Sequence, residues 1–228
     1  MYWDSTYILV IIGAIISAIA SWNVNQSFRK FSKFANGKKL PAQDVAAIIL
    51  HGAGIYDVRI ERIRGSLTDH YSPKEKVLRL SDSVYNSTSV AAIGVAAHEC
   101  GHAIQHHVGY FPLKLRSASV PIANIGSKLS WPIVFLGLIL GYTGLAQVGV
   151  FLFTFVVFFQ LITLPVEFNA SSRALRALSG SGMLSQDELG ASKKVLTAAA
   201  LTYVAALLTS LLTLLRLVLL ASGRSRRN

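Results

Sequence analysis

Four long apolar runs restrict this chain more than anything else in it. They lie around Tyr7–Ala20, Trp131–Leu140 and Val148–Leu164, and in the stretch that ends near Leu220. Backbone in lipid must satisfy its own polar groups, so such runs cross a bilayer as helices. With its flanks, the first run approaches the roughly 20 residues that a crossing needs. Trp3, Tyr7 and Trp22 suit its interfacial ends. The second extends back toward Val120, with Lys128 lodged inside it. Charged residues make up 14% of the chain, against about a quarter in soluble domains. The chain reads as a mainly α-helical integral membrane protein, with residues 1–228 forming one domain. Within it, 1–24 is an anchor, 40–115 a more polar block, 118–165 a pair of spans and 166–222 two further helices.

Charge sets the topology. The formal net charge is +11, from 22 Lys and Arg against 11 Asp and Glu. These bases flank the apolar runs, which is a membrane pattern and excludes a nucleic-acid footprint. Arg29, Lys30, Lys33, Lys38 and Lys39 follow the first run with no acid among them. They put the N-terminus outside and the following region in the cytoplasm. Ala18-Ile19-Ala20 mimics a signal-peptidase site, but Met1 to Asp4 contains no base, so the segment reads as an uncleaved anchor. Four crossings would leave Arg224, Arg226 and Arg227 outside, against the same rule. Either the last helix stops short or one span is miscounted.

The polar block carries mixed signals. Residues 41–52 suit a short helix, begun by Pro41 and ended by Gly52 and Gly54. Tyr56, Val58 and Ile60 then alternate with polar residues, and Leu67–Tyr71 and Val77–Leu80 repeat the strand signal. Together they predict a small antiparallel β-meander, whose edge suits an extended peptide. Ser87, Thr88 and Ser89 offer a cap for a helix over Val90–His107, stopped by Gly109 and Pro112. Farther on, Gly141–Gly144 predicts a tight turn, and Pro165 the end of the third span. A more polar helix follows through Leu178, and Ser185 with Glu188 forms a capping box for the last helix.

The predicted helix over Val90–His107 carries His98-Glu99-Cys100-Gly101-His102, an HExxH motif. Residues four apart share a helix face, about 6 Å of rise apart. Two imidazoles so placed can converge on one metal ion, and the adjacent Glu99 can take a proton from the attacking water. Cys100, the single cysteine, points elsewhere as a packing residue and excludes a disulfide framework or cysteine-rich metal site. The bland alternative is a pair of helix histidines satisfied by other partners.

A catalytic zinc normally takes three protein ligands. His106 lies about 12 Å of rise beyond His98 on a straight helix, too far to share one ion with it. Downstream, the carboxylates are Glu167, Asp187 and Glu188. Asp187 and Glu188 stand where a helix start favours acids. Glu167 follows Pro165 at the mouth of an apolar span, where an unpaired carboxylate is costly. Two roles are open to it: a helix-start acid or the third ligand, and the second is the reading taken. Ala170, Ser171 and Ala174 nearby are small enough for close helix approach. Asp69 and His70 upstream suit support of a ligand histidine or an oxyanion, or ordinary turn chemistry. Arg173 suits an oxyanion or a substrate carboxylate, or is a simple interfacial charge.

The chain resembles the YugP-type neutral zinc metallopeptidases of bacterial membranes, which are distantly similar to HtpX-type proteases. The resemblance runs over nearly the whole chain. It includes Leu67-Thr68-Asp69-His70-Tyr71, Ala96-Ala97-His98-Glu99, Gly101-His102-Ala103-Ile104-Gln105 and Leu164-Pro165-Val166-Glu167-Phe168. It implies a zincin-like helix, one zinc ion per chain held by His98, His102 and Glu167, and Glu99 as the catalytic base. It also implies a multi-pass bacterial membrane enzyme acting on peptides or membrane proteins. Asn169 stands where the family pattern usually has an aspartate, and Ser171 where HtpX-like relatives place one. A site-two-type intramembrane protease would want an aspartate in a later span, and none occurs between Asp82 and Asp187. A membrane scaffold or adaptor with a structural metal site is the non-enzymatic alternative.

Overall fold

The computed structural model describes residues 5–225. Trp3, Arg226 and Arg227, singled out above, lie outside them. The elements run α1 (Tyr7–Phe31), α2 (Ala42–Gly52), β1 (Arg59–Ile63), β2 (His70–Ser72), β3 (Val77–Ser81), α3 (Val90–His107), α4 (Phe111–Ile139), α5 (Thr143–Gly180) and α6 (Gln186–Ser225). Helices α1, α4, α5 and α6 are long and apolar enough to cross a membrane. The chain divides into two compact units. One comprises the described parts of Met1–Ser21, Lys114–Pro165 and Thr202–Asn228; the other comprises Trp22–Leu113 and Val166–Leu201.

The first unit is a helical bundle held by small residues, as expected where lipid supplies no hydrophobic drive between helices. A Cβ on Gly13 would come 3.0 Å from Thr209, and one on Gly126 would meet the Leu152 carbonyl at 2.5 Å. Ser17 and Thr209 hydroxyls hydrogen-bond at 3.0 Å. Arg216 is buried, its guanidinium 4.1 Å from the Tyr7 ring and 5.3 Å from that of Trp131.

Pro165 does not break the helix, as its chemistry suggested: α5 runs through it, just as α4 runs through Pro121 and Pro132. A proline costs an internal helix roughly 3 kcal/mol. Close packing and apolar surroundings, where a broken helix exposes several polar groups, outweigh that.

The second unit has α3 at its centre. Its bounds match the predicted helix, and Ser89 caps it by accepting a hydrogen bond from the Ala92 N–H at 3.2 Å. The alanine-rich face of α3 lets α2 pack closely, in a core that includes Val45, Ala46, Ile49, Ala92, Ala96 and Cys100. The Cys100 thiol lies 3.6 Å from the Ala46 carbonyl, and burial pushes its pKa up. The Ser185–Glu188 capping box forms reciprocally: Glu188 N–H donates to the Ser185 hydroxyl at 3.3 Å, and Ser185 N–H to the Glu188 carboxylate at 2.8 Å. The other Glu188 oxygen accepts from Gly37 N–H at 2.6 Å, which ties α6 to the segment after α1.

The three strands exist, but the sheet is mixed where an antiparallel meander was expected. Its order is β1-β3-β2, with β1 parallel and β2 antiparallel to β3. The reason lies at the end of β1. Gly65 takes φ +113° and Leu67 φ +55°, so the chain swings away before β2. Asp82 fastens the ends of β1 and β3 together, accepting from Arg62 at 2.7 Å and from Gly65 N–H at 3.0 Å. Ends joined on the same side make the pair parallel.

Candidate metal centre

Helix α3 presents His98 and His102 side by side, their ring centroids 4.8 Å apart and nearly perpendicular. Facing them, α5 brings Glu167, which is 2% exposed. Its Oε2 lies 3.2 Å from His98 Nε2 and 3.5 Å from His102 Nε2. Tetrahedral zinc with ligands at about 2.0–2.1 Å spaces its donors about 3.3–3.5 Å apart. Both separations from Glu167 match that spacing, and all three donors lie within 4.8 Å of one another. Among the described residues they form the one cluster of three or more such groups.

The approach of the two helices depends on Gly101, inside the motif. A Cβ there would meet the Ala170 carbonyl oxygen at 2.4 Å and its carbon at 2.9 Å. Glycine at 101 and alanine at 170 let the backbones touch, and Glu167 sits three residues before that contact.

The outer nitrogens of both histidines are also engaged. His98 Nδ1 lies 3.1 Å from the Ser171 hydroxyl, and His102 Nδ1 lies 3.0 Å from Gln105 Oε1. Gln105 is fully buried, and its amide nitrogen donates to the Val166 carbonyl at 2.8 Å and to Asn169 Oδ1 at 3.0 Å. Asn169 Oδ1 also accepts from Arg173 Nε at 2.7 Å, and Arg173 lies 5.8 Å from the Tyr110 ring centre. This relay has a fixed polarity. A backbone carbonyl only accepts and a guanidinium only donates, so the Gln105 oxygen must face His102. His102 Nδ1 then carries the proton, and its Nε2 lone pair is left for a metal.

Asn169 and Arg173 are thus connected to His102 through Gln105. Ser171 supports His98 through its hydroxyl. Gln105 was missed as a functional residue. Its signal was position: it lies three after His102, on the same helix face.

Asp69 and His70 lie elsewhere. The Asp69 carboxylate accepts from Ser81 N–H at 2.7 Å and from the Ser81 hydroxyl at 2.9 Å, bracing β3. Burial raises its pKa against those bonds, and the nearby Glu99 charge adds to the rise. His70 Nδ1 bonds the Thr68 carbonyl at 2.9 Å. His106 is held by the Tyr71 hydroxyl at 2.9 Å, away from the cluster. Glu99 is buried at 9% exposure. Burial opposes charge on His102, but the Glu167 hydrogen bond and the Glu99 and Glu167 charges raise its pKa above the ordinary imidazole value.

Replacing Gln105 with Leu should lower zinc affinity about 10–100-fold, the usual cost of losing an outer hydrogen bond on a ligand histidine. Chelator competition at fixed pH reads this directly. An unchanged affinity would show that the relay does not orient His102.

The comparisons with known proteins bear on the same residues. The family model described as "Putative neutral zinc metallopeptidase" matches residues 6–222. "Putative membrane protease YugP" of Bacillus subtilis (strain 168) is 46% identical over 216 residues, covering 94% of this chain and 96% of that protein. No solved structure matches. With a full-length family match and a two-histidine, one-glutamate cluster fit for zinc, this chain belongs to the neutral zinc metallopeptidase family.

Proposed function

We propose that the protein hydrolyses peptide bonds at the cytoplasmic face of the membrane, using one zinc ion held by His98, His102 and Glu167. The observation that carries this reading is the convergence of two Nε2 atoms on one Glu167 oxygen at 3.2 and 3.5 Å. Zinc, when bound, supplies Lewis-acid polarisation of the scissile carbonyl and acidifies water toward neutrality.

The remaining work falls to side chains of this chain. Glu99 takes the proton from the attacking water and returns it to the leaving amine. Gln105 and Ser171 hold the two imidazoles in the orientation that points Nε2 inward. Asn169 and Arg173 keep the Gln105 amide from flipping. Asp69 secures β3 through Ser81. As an edge strand, β2 suits an extended substrate backbone.

The charge pattern supports a cytoplasmic site. Arg29, Lys30, Lys33, Lys38 and Lys39 follow the first span, and Arg173, Arg176, Lys193 and Lys194 belong to the same unit as the motif. The turn between α4 and α5, at 140–142, carries no charge. Residues 1–228 then act as one multi-pass membrane enzyme on peptide or membrane-protein substrates.

Two measurements test this. The purified protein should cleave a casein-like substrate, lose the activity to a chelator and regain it with zinc. In sealed cells, Lys38→Cys should react with a membrane-impermeant maleimide only after permeabilisation. Cleavage that survives complete zinc removal would refute the chemistry, and labelling of intact cells would refute the orientation.

A further inference from the structure

Helix α4 carries two seams on opposite sides. Ala123, Gly126, Ser130, Val134 and Gly137 are buried. A Cβ on Gly126 or Gly137 would come within 2.5 Å of the α5 backbone, so this side is packed as closely as two helices can be. The other seam is Lys114, Ser117, Pro121, Asn124 and Lys128, all exposed. Its spacing alternates three and four, the repeat with which one helix packs along another. At about 100° per residue it lies roughly 160–240° around the helix from Gly126, directly away from the bundle.

Lys128 belongs to every candidate crossing that α4 can make. Every 18-residue window within Phe111–Ile139 contains residues 122–128, so any crossing made by α4 includes both Asn124 and Lys128. Among the described residues no ion pair engages Lys128. An ionisable group within a span ordinarily faces a partner. The neighbouring Ser127 needs none, since its hydroxyl donates to the Asn124 carbonyl at 3.1 Å.

We infer that this face of α4 docks a transmembrane helix of another protein that carries a carboxylic acid within its span. Charge selects that occupant. A second copy meeting through the same face would set Lys128 against Lys128. Nor does this chain hold a mid-span acid to offer from another face. The acids in α1, α4, α5 and α6 are Glu167, committed to the metal centre, and Asp187 and Glu188 in the first turn of α6. A foreign helix with one Asp or Glu satisfies the lysine, and Asn124 one turn away can share in the contact. The inference concerns association alone and does not rest on hydrolysis.

The test places a photo-crosslinking amino acid at Ile125, exposed beside the seam, in the full chain reconstituted in phosphatidylcholine vesicles. The probes are two synthetic leucine-rich transmembrane helices, identical but for a central Glu or Leu. Capture of the Glu helix should exceed that of the Leu helix at least ten-fold. Lys128→Leu should erase the preference, and Lys128→Arg should keep it. Both variants leave α4 apolar enough to insert, so loss of fold does not confuse the result. Equal capture of the two helices, or a preference that survives Lys128→Leu, would overturn the inference. Dominant crosslinking of the chain to itself would overturn it too, and would name a second copy as the occupant.

Discussion

Glu99→Gln should cut peptide hydrolysis by about 10²–10⁴-fold or more while leaving zinc bound, because general-base catalysis contributes on that scale. The substitution is nearly isosteric and removes only the ability to take a proton. Glu99 is not among the three clustered donors, so metal affinity should hold. Measured together, zinc content and turnover separate this role from a structural one. If proteolysis persists in the variant, with contaminating proteases excluded, Glu99 is not the base. If zinc is lost along with activity, Glu99 shapes the metal centre more than expected.

Gly101→Ala is the second large effect, and its sign is instructive. In an ordinary helix interior this change stabilises by about 1 kcal/mol. Here the added carbon would sit 2.4 Å from the Ala170 carbonyl oxygen, a contact with backbone that cannot rotate aside. Forcing the helices apart costs about 1–3 kcal/mol by overpacking. It also moves Glu167 away from the histidines, and a displacement of about 1 Å at a reacting centre costs on the order of 10²-fold in rate. Gly190→Ala is the control, since a Cβ there meets nothing within 4 Å. The expected outcome is lower melting temperature, weaker zinc binding and roughly 10²-fold lower kcat/KM for Gly101→Ala, with Gly190→Ala unchanged or slightly stabilised. Equal behaviour of the two variants would mean that α3 and α5 do not touch at this point.

Much of this architecture was legible in the sequence, for reasons that differ by element. The helix Val90–His107 announced itself through a cap, an alanine-rich body and a glycine stop, all local signals. The capping box at Ser185 and Glu188 was equally local, and both of its bonds are present. Glu167 could be singled out because a lone carboxylate beside an apolar span needs a partner, and two imidazoles 69 and 65 positions earlier supply one.

Strand pairing was not legible, because short strands of 5, 3 and 5 residues specify no order. That order came from Gly65 and Asp82, whose contact bridges 17 positions. Pro165 misled because proline's local penalty is visible in sequence, while the packing that outweighs it is not. The support for the histidines was hidden in the same way. Asn169 and Ser171 looked like losses, since each stands where an acid was expected. The fold instead routes an amide relay through Gln105 to His102 and gives His98 a hydroxyl.

The zinc X-ray absorption spectrum of the purified protein, taken for the native chain and for Glu167→Gln, tests the central claim most directly. The native spectrum should fit two imidazole nitrogens and carboxylate oxygen at about 2.0–2.2 Å, with one zinc per chain. Glu167→Gln should lose the carboxylate contribution and most of the bound metal. A native spectrum with two imidazoles, unchanged by Glu167→Gln, would contradict the assignment of Glu167 and with it the metal centre described above.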